Sequence, residues 1–170
     1  MDAKIEAIEK NEMWELTSFS IEVKKVGVWW MYKTKANENG ELEKYKARLV
    51  AKGYVQKHSI DYTEVFAYVA RLETIRLVIS ISSQKGWTFF QLDVKSAFLH
   101  GKLNEEVYIE QPPRYEKKDA EQKVFRLKKA LYGLKQAPRA WYSCIESYFV
   151  KEGFQRCPHG HTLFIKTAWI

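Results

Sequence analysis

Cysteine is scarce in this sequence. Cys144 and Cys157 are the two in a chain of 170 residues. Two thiols at this length do not form a disulfide framework, and they fit a reducing compartment. Long apolar runs are missing as well: no stretch approaches the ~18 residues of a membrane helix. The opening residues, Met1-Asp2-Ala3-Lys4-Ile5-Glu6, lack the basic-then-apolar order of a signal peptide. The expectation is a soluble intracellular, cytoplasmic protein with no membrane partner. A glycine-rich phosphate loop is also lacking. The nearest candidate, Leu131-Tyr132-Gly133-Leu134-Lys135, does not have P-loop spacing. No serine or cysteine stands in a recognisable nucleophile setting. These absences argue against nucleotide hydrolases and proteases. No internal repeat and no low-complexity linker divides the chain, so one domain is expected.

What is present is foldable and basic. Hydrophobic residues make up 46% and aromatics 15%, which excludes a disordered tail. Lys and Arg outnumber Asp and Glu by 28 to 21, giving a net charge of +7. Such a chain suits a polyanionic partner, although charge alone does not separate RNA from DNA or from an anionic membrane.

Asp2 can cap a short helix reaching about Asn11, with Ile5 and Ile8 one turn apart. Trp14 to Val28 mixes strand formers and lysines without a clear period. Trp29 to Lys35 and Tyr45 to Tyr54 read as two strands of a hairpin around the turn Asn37-Glu38-Asn39-Gly40. Lys33, Lys35, Lys44, Lys46, Arg48, Lys52 and Lys57 lie on or beside it. Alternate strand residues share a face, so Lys44, Lys46, Arg48 and Lys52 oppose Tyr45, Ala47, Leu49 and Ala51. Pattern alone does not distinguish a lysine-protected edge from a surface for polyanions. Arg71 to Lys85 reads as a helix stopped by Gly86. Trp87 to Val94 reads as a buried, central strand with aromatic residues on both faces. Val107 to Glu110, Val124 to Leu127 and Thr162 to Lys166 are further strand candidates. A helix follows Ala137, with Pro138 in its first turn, Cys144 on its core face and Gly153 closing it. The order is an α+β pattern.

Asp93 is the first carboxylate to consider, because it ends an apolar strand candidate. A charge there is costly unless paired, solvated or bound to metal. Spacing alone favours a helix N-cap, since Ser96-Ala97-Phe98 can begin a turn; a magnesium ligand is the other reading. Cys157-Pro158-His159-Gly160-His161 has the look of a metal tract. Zinc wants four ligands from paired segments, and nothing elsewhere supplies the second pair.

Four segments carry a specific likeness. They are Tyr45-Lys46-Ala47-Arg48-Leu49-Val50-Ala51-Lys52-Gly53-Tyr54, Gln91-Leu92-Asp93-Val94-Lys95-Ser96-Ala97-Phe98-Leu99-His100-Gly101, Glu106-Val107-Tyr108-Ile109-Glu110-Gln111-Pro112 and Leu131-Tyr132-Gly133-Leu134-Lys135-Gln136-Ala137-Pro138-Arg139-Ala140-Trp141. In this order the chain resembles the reverse transcriptase domain of copia-type retrotransposons, from about Trp14 to Lys166. The resemblance implies a right-hand polymerase fold, with residues 14–85 fingers-like and 86–166 a partial palm. It implies that Asp93 is a catalytic, metal-binding carboxylate for Mg2+. Phe98 would exclude a ribose 2′-hydroxyl. Arg48, with Lys46 and Lys52, would hold the incoming triphosphate, and Tyr132 and Gly133 would flank the nucleotide. Lys35, Lys44, Lys135 and Arg139 would contact nucleic acid. The implied partners are an RNA template, a DNA primer, deoxynucleoside triphosphates and the rest of a Pol polyprotein, housed in a virus-like particle.

The sequence departs from that family in places. Tyr68 stands where proline is usual, Trp29 where a basic residue commonly precedes Trp30, and Gly160 where an acidic residue is frequent. The Tyr-x-Asp-Asp segment, which holds the other metal carboxylates, does not occur, and the tail from Thr167 to Ile170 is unlike the family. The expectation is therefore a truncated or decayed copy, inactive by itself. The alternative is a non-catalytic nucleic-acid-binding remnant or an inert transposon relic.

Overall fold

A computed structural model describes residues 1–18 and 24–167. The chain is a mixed α and β structure with three α-helices and three small sheets among those residues. Helix α1 spans Asp2–Lys10, and Ile5 and Ile8 are its buried residues, as their spacing predicts. Asp2 does not cap it. Met1 holds the cap position, and the Asp2 carboxylate instead accepts a hydrogen bond from the Tyr115 hydroxyl. That contact lowers the Asp2 pKa and raises the Tyr115 phenol to about 12.

The central sheet has the order β1-β6-β5-β2, from β1 (Trp14–Thr17), β2 (Lys25–Val26), β5 (Lys102–Ile109) and β6 (Val124–Lys129). β6 runs antiparallel to both β1 and β5, and β2 joins β5 in parallel. Trp14 stacks on Phe125 with ring centroids 4.3 Å apart, and Val107, Ile109 and Leu127 fill the same core.

The hairpin consists of β3 (Val28–Ala36) and β4 (Leu42–Ala51). Its turn is organised by Asn37, whose Oδ1 accepts from the backbone N–H of Asn39 at 3.0 Å and of Glu41 at 2.9 Å. Asx side chains favour turns through this type of bond. Only the base of the hairpin joins the core. Val28, Trp30, Leu49 and Ala51 are buried on one face, while the distal strands stand in solvent.

Helix α2 (Leu72–Lys85) ends at Gly86, whose φ of 64° is the left-handed stop expected from the sequence. Its apolar residues do not pack: Leu72, Ile75, Leu77 and Ile79 are all exposed. The expected strand from Trp87 to Val94 does not form. The segment has no regular secondary structure, pairs with no strand among the described residues and is exposed throughout. The reason is physical: a strand requires a neighbour for its backbone groups, and no described residue supplies one. The sheets therefore lack the 87–94 strand that the sequence predicts, and α2 leaves apolar residues exposed.

Helix α3 (Ala137–Lys151) carries Pro138 in its first turn. It packs against the short 3-10 turn Ala97–His100, and β7 (Gln155–Cys157) pairs with β8 (Gly160–Ile165) beside it. Cys144 is half-buried against a cleft rather than in the core, because α3 buries only Ala137 fully. The 168–170 part of the tail lies outside the described residues.

Candidate nucleotide and nucleic-acid site

The register of the hairpin fixes the site. Met31 faces Arg48, Lys33 faces Lys46, and Lys35 faces Lys44. Directly opposed residues share a sheet face. Lys33, Lys35, Lys44, Lys46 and Arg48 therefore form a ladder of cations opposite the buried face. Among the described residues, none of these five, nor Lys52, makes an ion pair. The charge of Lys35 holds the Lys46 ammonium below its ordinary pKa, with desolvation, Arg48 and Lys44 acting in the same direction. Like charges opposed across a strand pair are destabilising, and an anion on this face would relieve them.

At the foot of the ladder, distant segments meet. The Arg48 guanidinium lies 5.9 Å from the centroid of the Tyr132 ring. Tyr132 in turn meets Phe98 edge to face at 5.4 Å. Phe98 borders a cleft of about 600 Å3 whose other lining residues include Trp29, Lys52, Tyr54, Gly133 and Lys135.

The loop carrying Tyr132 and Gly133 is held against the end of β4. The Ala51 N–H donates to the Tyr132 carbonyl at 2.7 Å. Gly133 has φ +91°, and a Cβ there would lie 2.2 Å from the Ala51 carbonyl oxygen. A Cβ on Gly53 would lie 2.0 Å from the Gly133 oxygen. The close approach that Gly133 permits is thus to the hairpin itself.

Two buried glutamines complete the lock. Gln56 Nε2 donates to Gln136 Oε1 at 3.2 Å, and Gln56 Oε1 accepts from the Lys135 N–H at 2.9 Å. Gln136 Nε2 reaches the Asp61 carbonyl at 3.4 Å. Sequence reasoning missed both glutamines, and Trp29 as a cleft residue. No periodicity marks a buried amide whose partner is far away in sequence.

The remaining candidates are dispersed. Lys135 is exposed on the cleft, whereas Arg139 pairs with Glu64 at 3.0 Å and so shares its charge. Arg139 also lines a second cleft of about 350 Å3 with His100, Lys102, Ser143 and Cys144. Asp93 is exposed in the unpaired segment and is not among the residues lining either cleft. The five residue steps from Asp93 to Phe98 span at most ~18 Å when extended.

Residues 11–169 match the family model described as reverse transcriptase (RNA-dependent DNA polymerase). The chain belongs to the reverse transcriptase family. It is 43% identical over 170 residues to the retrovirus-related Pol polyprotein from transposon RE2 of Arabidopsis thaliana, covering 97% of this chain. The corresponding polyprotein from transposon RE1 of the same plant is also 43% identical, and that from transposon TNT 1-94 of Nicotiana tabacum is 39% identical over 91% of this chain. The chain spans about a ninth of the length of these relatives, 11% for RE2 and RE1 and 12% for TNT 1-94. No solved structure matches it.

Reverse transcriptases use divalent metal, which raises the question of a cage. Among the described residues no three Asp, Glu, His or Cys side chains converge. That holds for Asp93 and for the Cys157, His159 and His161 tract. The His161 ring stacks on Tyr68 at 4.2 Å, and the His161 carbonyl accepts from the Tyr142 hydroxyl at 2.6 Å. One solvated aspartate does not fit a two-ion site, because magnesium gives up its hydration shell reluctantly.

Proposed function

We propose that this reverse transcriptase chain forms the nucleotide-facing and template-facing walls of an RNA-directed DNA polymerase from a copia-type retrotransposon Pol polyprotein. The β3–β4 hairpin acts as the fingers element, and the β5–β6 sheet with α3 acts as part of the palm. The observation that carries this reading is the meeting of Arg48, Tyr132 and Phe98 at the foot of an unpaired cation ladder. Arg48, with Lys46 and Lys52, grips phosphate oxygens, a task suited to a bidentate guanidinium. Phe98 fills the space a ribose 2′-hydroxyl would need, selecting deoxynucleotides. Lys35, Lys44, Lys135 and Arg139 contact template or primer phosphates. Asp93 would supply one carboxylate toward Mg2+, with no second carboxylate group converging on it among the described residues.

The test is a chimera in which these residues replace the matching segment of the RE1 polyprotein's reverse transcriptase. The chimera should extend oligo(dT) on poly(rA). Asp93→Asn should abolish extension, and Phe98→Ala should admit ribonucleotides. Full discrimination by Phe98→Ala would remove its steric role. The 170-residue chain alone should not extend the primer with magnesium or manganese. The second reading, a nucleic-acid-binding remnant without catalysis, is favoured by the lack of a converged carboxylate group among the described residues. Failure of the chimera to polymerise while still binding template would select it.

A further inference from the structure

Trp29 is unusual in its setting. Its neighbour Trp30 is buried, with its indole N–H donating to the Pro113 carbonyl at 3.2 Å. Trp29 points the other way, opposite Val50 on the cation face of the hairpin, and is 41% exposed. It lines the 600 Å3 cleft together with Tyr54, which is 74% exposed. Among the described residues neither ring stacks on another aromatic side chain. An indole left half in water forfeits favourable burial, which a flat apolar ligand would restore.

The rest of the cleft specifies what kind of flat ligand fits. Lys52 and Lys135 both line it, and no Asp or Glu does. An aromatic platform beside unopposed cations is the combination that binds nucleobases with their phosphates. The volume lies within the ~300–1,000 Å3 usual for small-molecule sites. Trp29 keeps 41% of its surface open on this cleft.

We propose that Trp29 is a stacking platform for a nucleobase whose phosphates are held by Lys52 and Lys135. The inference rests on reading the cleft as a nucleotide site, and it assigns the side chain that holds the base. The ligand is a nucleoside phosphate unit, either a free deoxynucleotide or one residue of a single strand.

Tryptophan emission of the whole chain tests it, with dATP, inorganic tripolyphosphate and an oligo(dT) 8-mer as separate probes. The Trp29 signal is the difference between the native chain and Trp29→Phe. Quenching of that signal by dATP assigns the base to a free nucleotide; quenching by the oligonucleotide alone assigns it to a strand. Tripolyphosphate should compete with whichever ligand binds, without quenching Trp29. Trp29→Ala should lose about tenfold in affinity for the base-bearing ligand, and Trp29→Phe should retain most of it. Both variants should keep native affinity for tripolyphosphate, which also shows that they are folded. Native affinity of Trp29→Ala for dATP and oligo(dT) would overturn the stacking role. Equal quenching by tripolyphosphate would do the same, while leaving the phosphate-binding reading intact. No binding of any probe would overturn both.

Discussion

The hairpin base and helix α2 make an instructive pair. Both carry strong apolar patterns, and both adopt the secondary structure those patterns predict. At the hairpin base, Trp30, Leu49 and Ala51 join one buried core with residues of β5, β6 and the 131–137 loop. On α2, Leu72 and Leu77 remain more than half exposed, and in the segment after it Phe90 is 77% and Leu92 88% exposed. Local hydrogen bonds and a left-handed glycine are sufficient to make a helix. Burial needs a second surface. The first region has one within these residues and the second does not, so one is a core and the other is an apolar face in water.

The contrast is sharpest in stability. Gly133→Ala should cost roughly 2–5 kcal/mol, from the left-handed strain and the clash with the Ala51 carbonyl together. Urea unfolding measures it, and a loss below 1 kcal/mol would mean that the loop is not locked to β4. Gln56→Ala should cost about 1–3 kcal/mol, because it leaves Gln136 Oε1 and the Lys135 N–H without a buried partner. In the other region, Phe90→Ser with Leu92→Ser should change stability by only about 0.5 kcal/mol or less. The same pair should sharply reduce hydrophobic-dye binding, since large exposed apolar patches attract such ligands. Unchanged dye binding would place the sticky surface elsewhere. The smallest effect concerns the contact between Asp2 and Tyr115. Because the Tyr115 pKa is raised in the fold, its contribution is complete below 10.0 and is lost as pH rises through about 12. Because the Asp2 pKa is lowered, its contribution is present above the ordinary 3.8 and is lost as pH falls through the lower folded value. Melting curves of the native chain and Tyr115→Phe should therefore converge at both extremes of pH.

Much of this was legible in the sequence where the signal was local. The α2 stop at Gly86, the hairpin turn at Asn37 and the parity of Lys44, Lys46 and Arg48 follow from residues near one another. The family was legible too, because four segments occur in one order. What sequence could not supply was partnership. Trp87 to Val94 has strand composition, but pairing depends on a neighbour. Cys144 fits a core stripe, yet its helix face meets a polar cleft. Gln56 and Gln136 are ordinary surface residues by type, and they are buried because one bond between them, the Lys135 N–H and the Asp61 carbonyl satisfy their polar atoms. Trp29 and Trp30 are adjacent and identical, and only the register of β3 against β4 tells the platform from the core residue.

The central claim is that the open face of the hairpin is the polyanion surface of this reverse transcriptase chain. Its most direct test is the salt dependence of binding to poly(rA)–oligo(dT), for the native chain and for the variant with Lys44, Lys46, Arg48 and Lys52 all changed to Ala. Each phosphate neutralised contributes about 0.9 to the slope of log affinity against log salt for a B-form duplex, and the hybrid should behave comparably. The variant, folded by circular dichroism, should bind more weakly, with a slope shallower by up to about 3.6 if each of the four cations meets one phosphate. An unchanged slope would remove the hairpin from the nucleic-acid site and contradict the account.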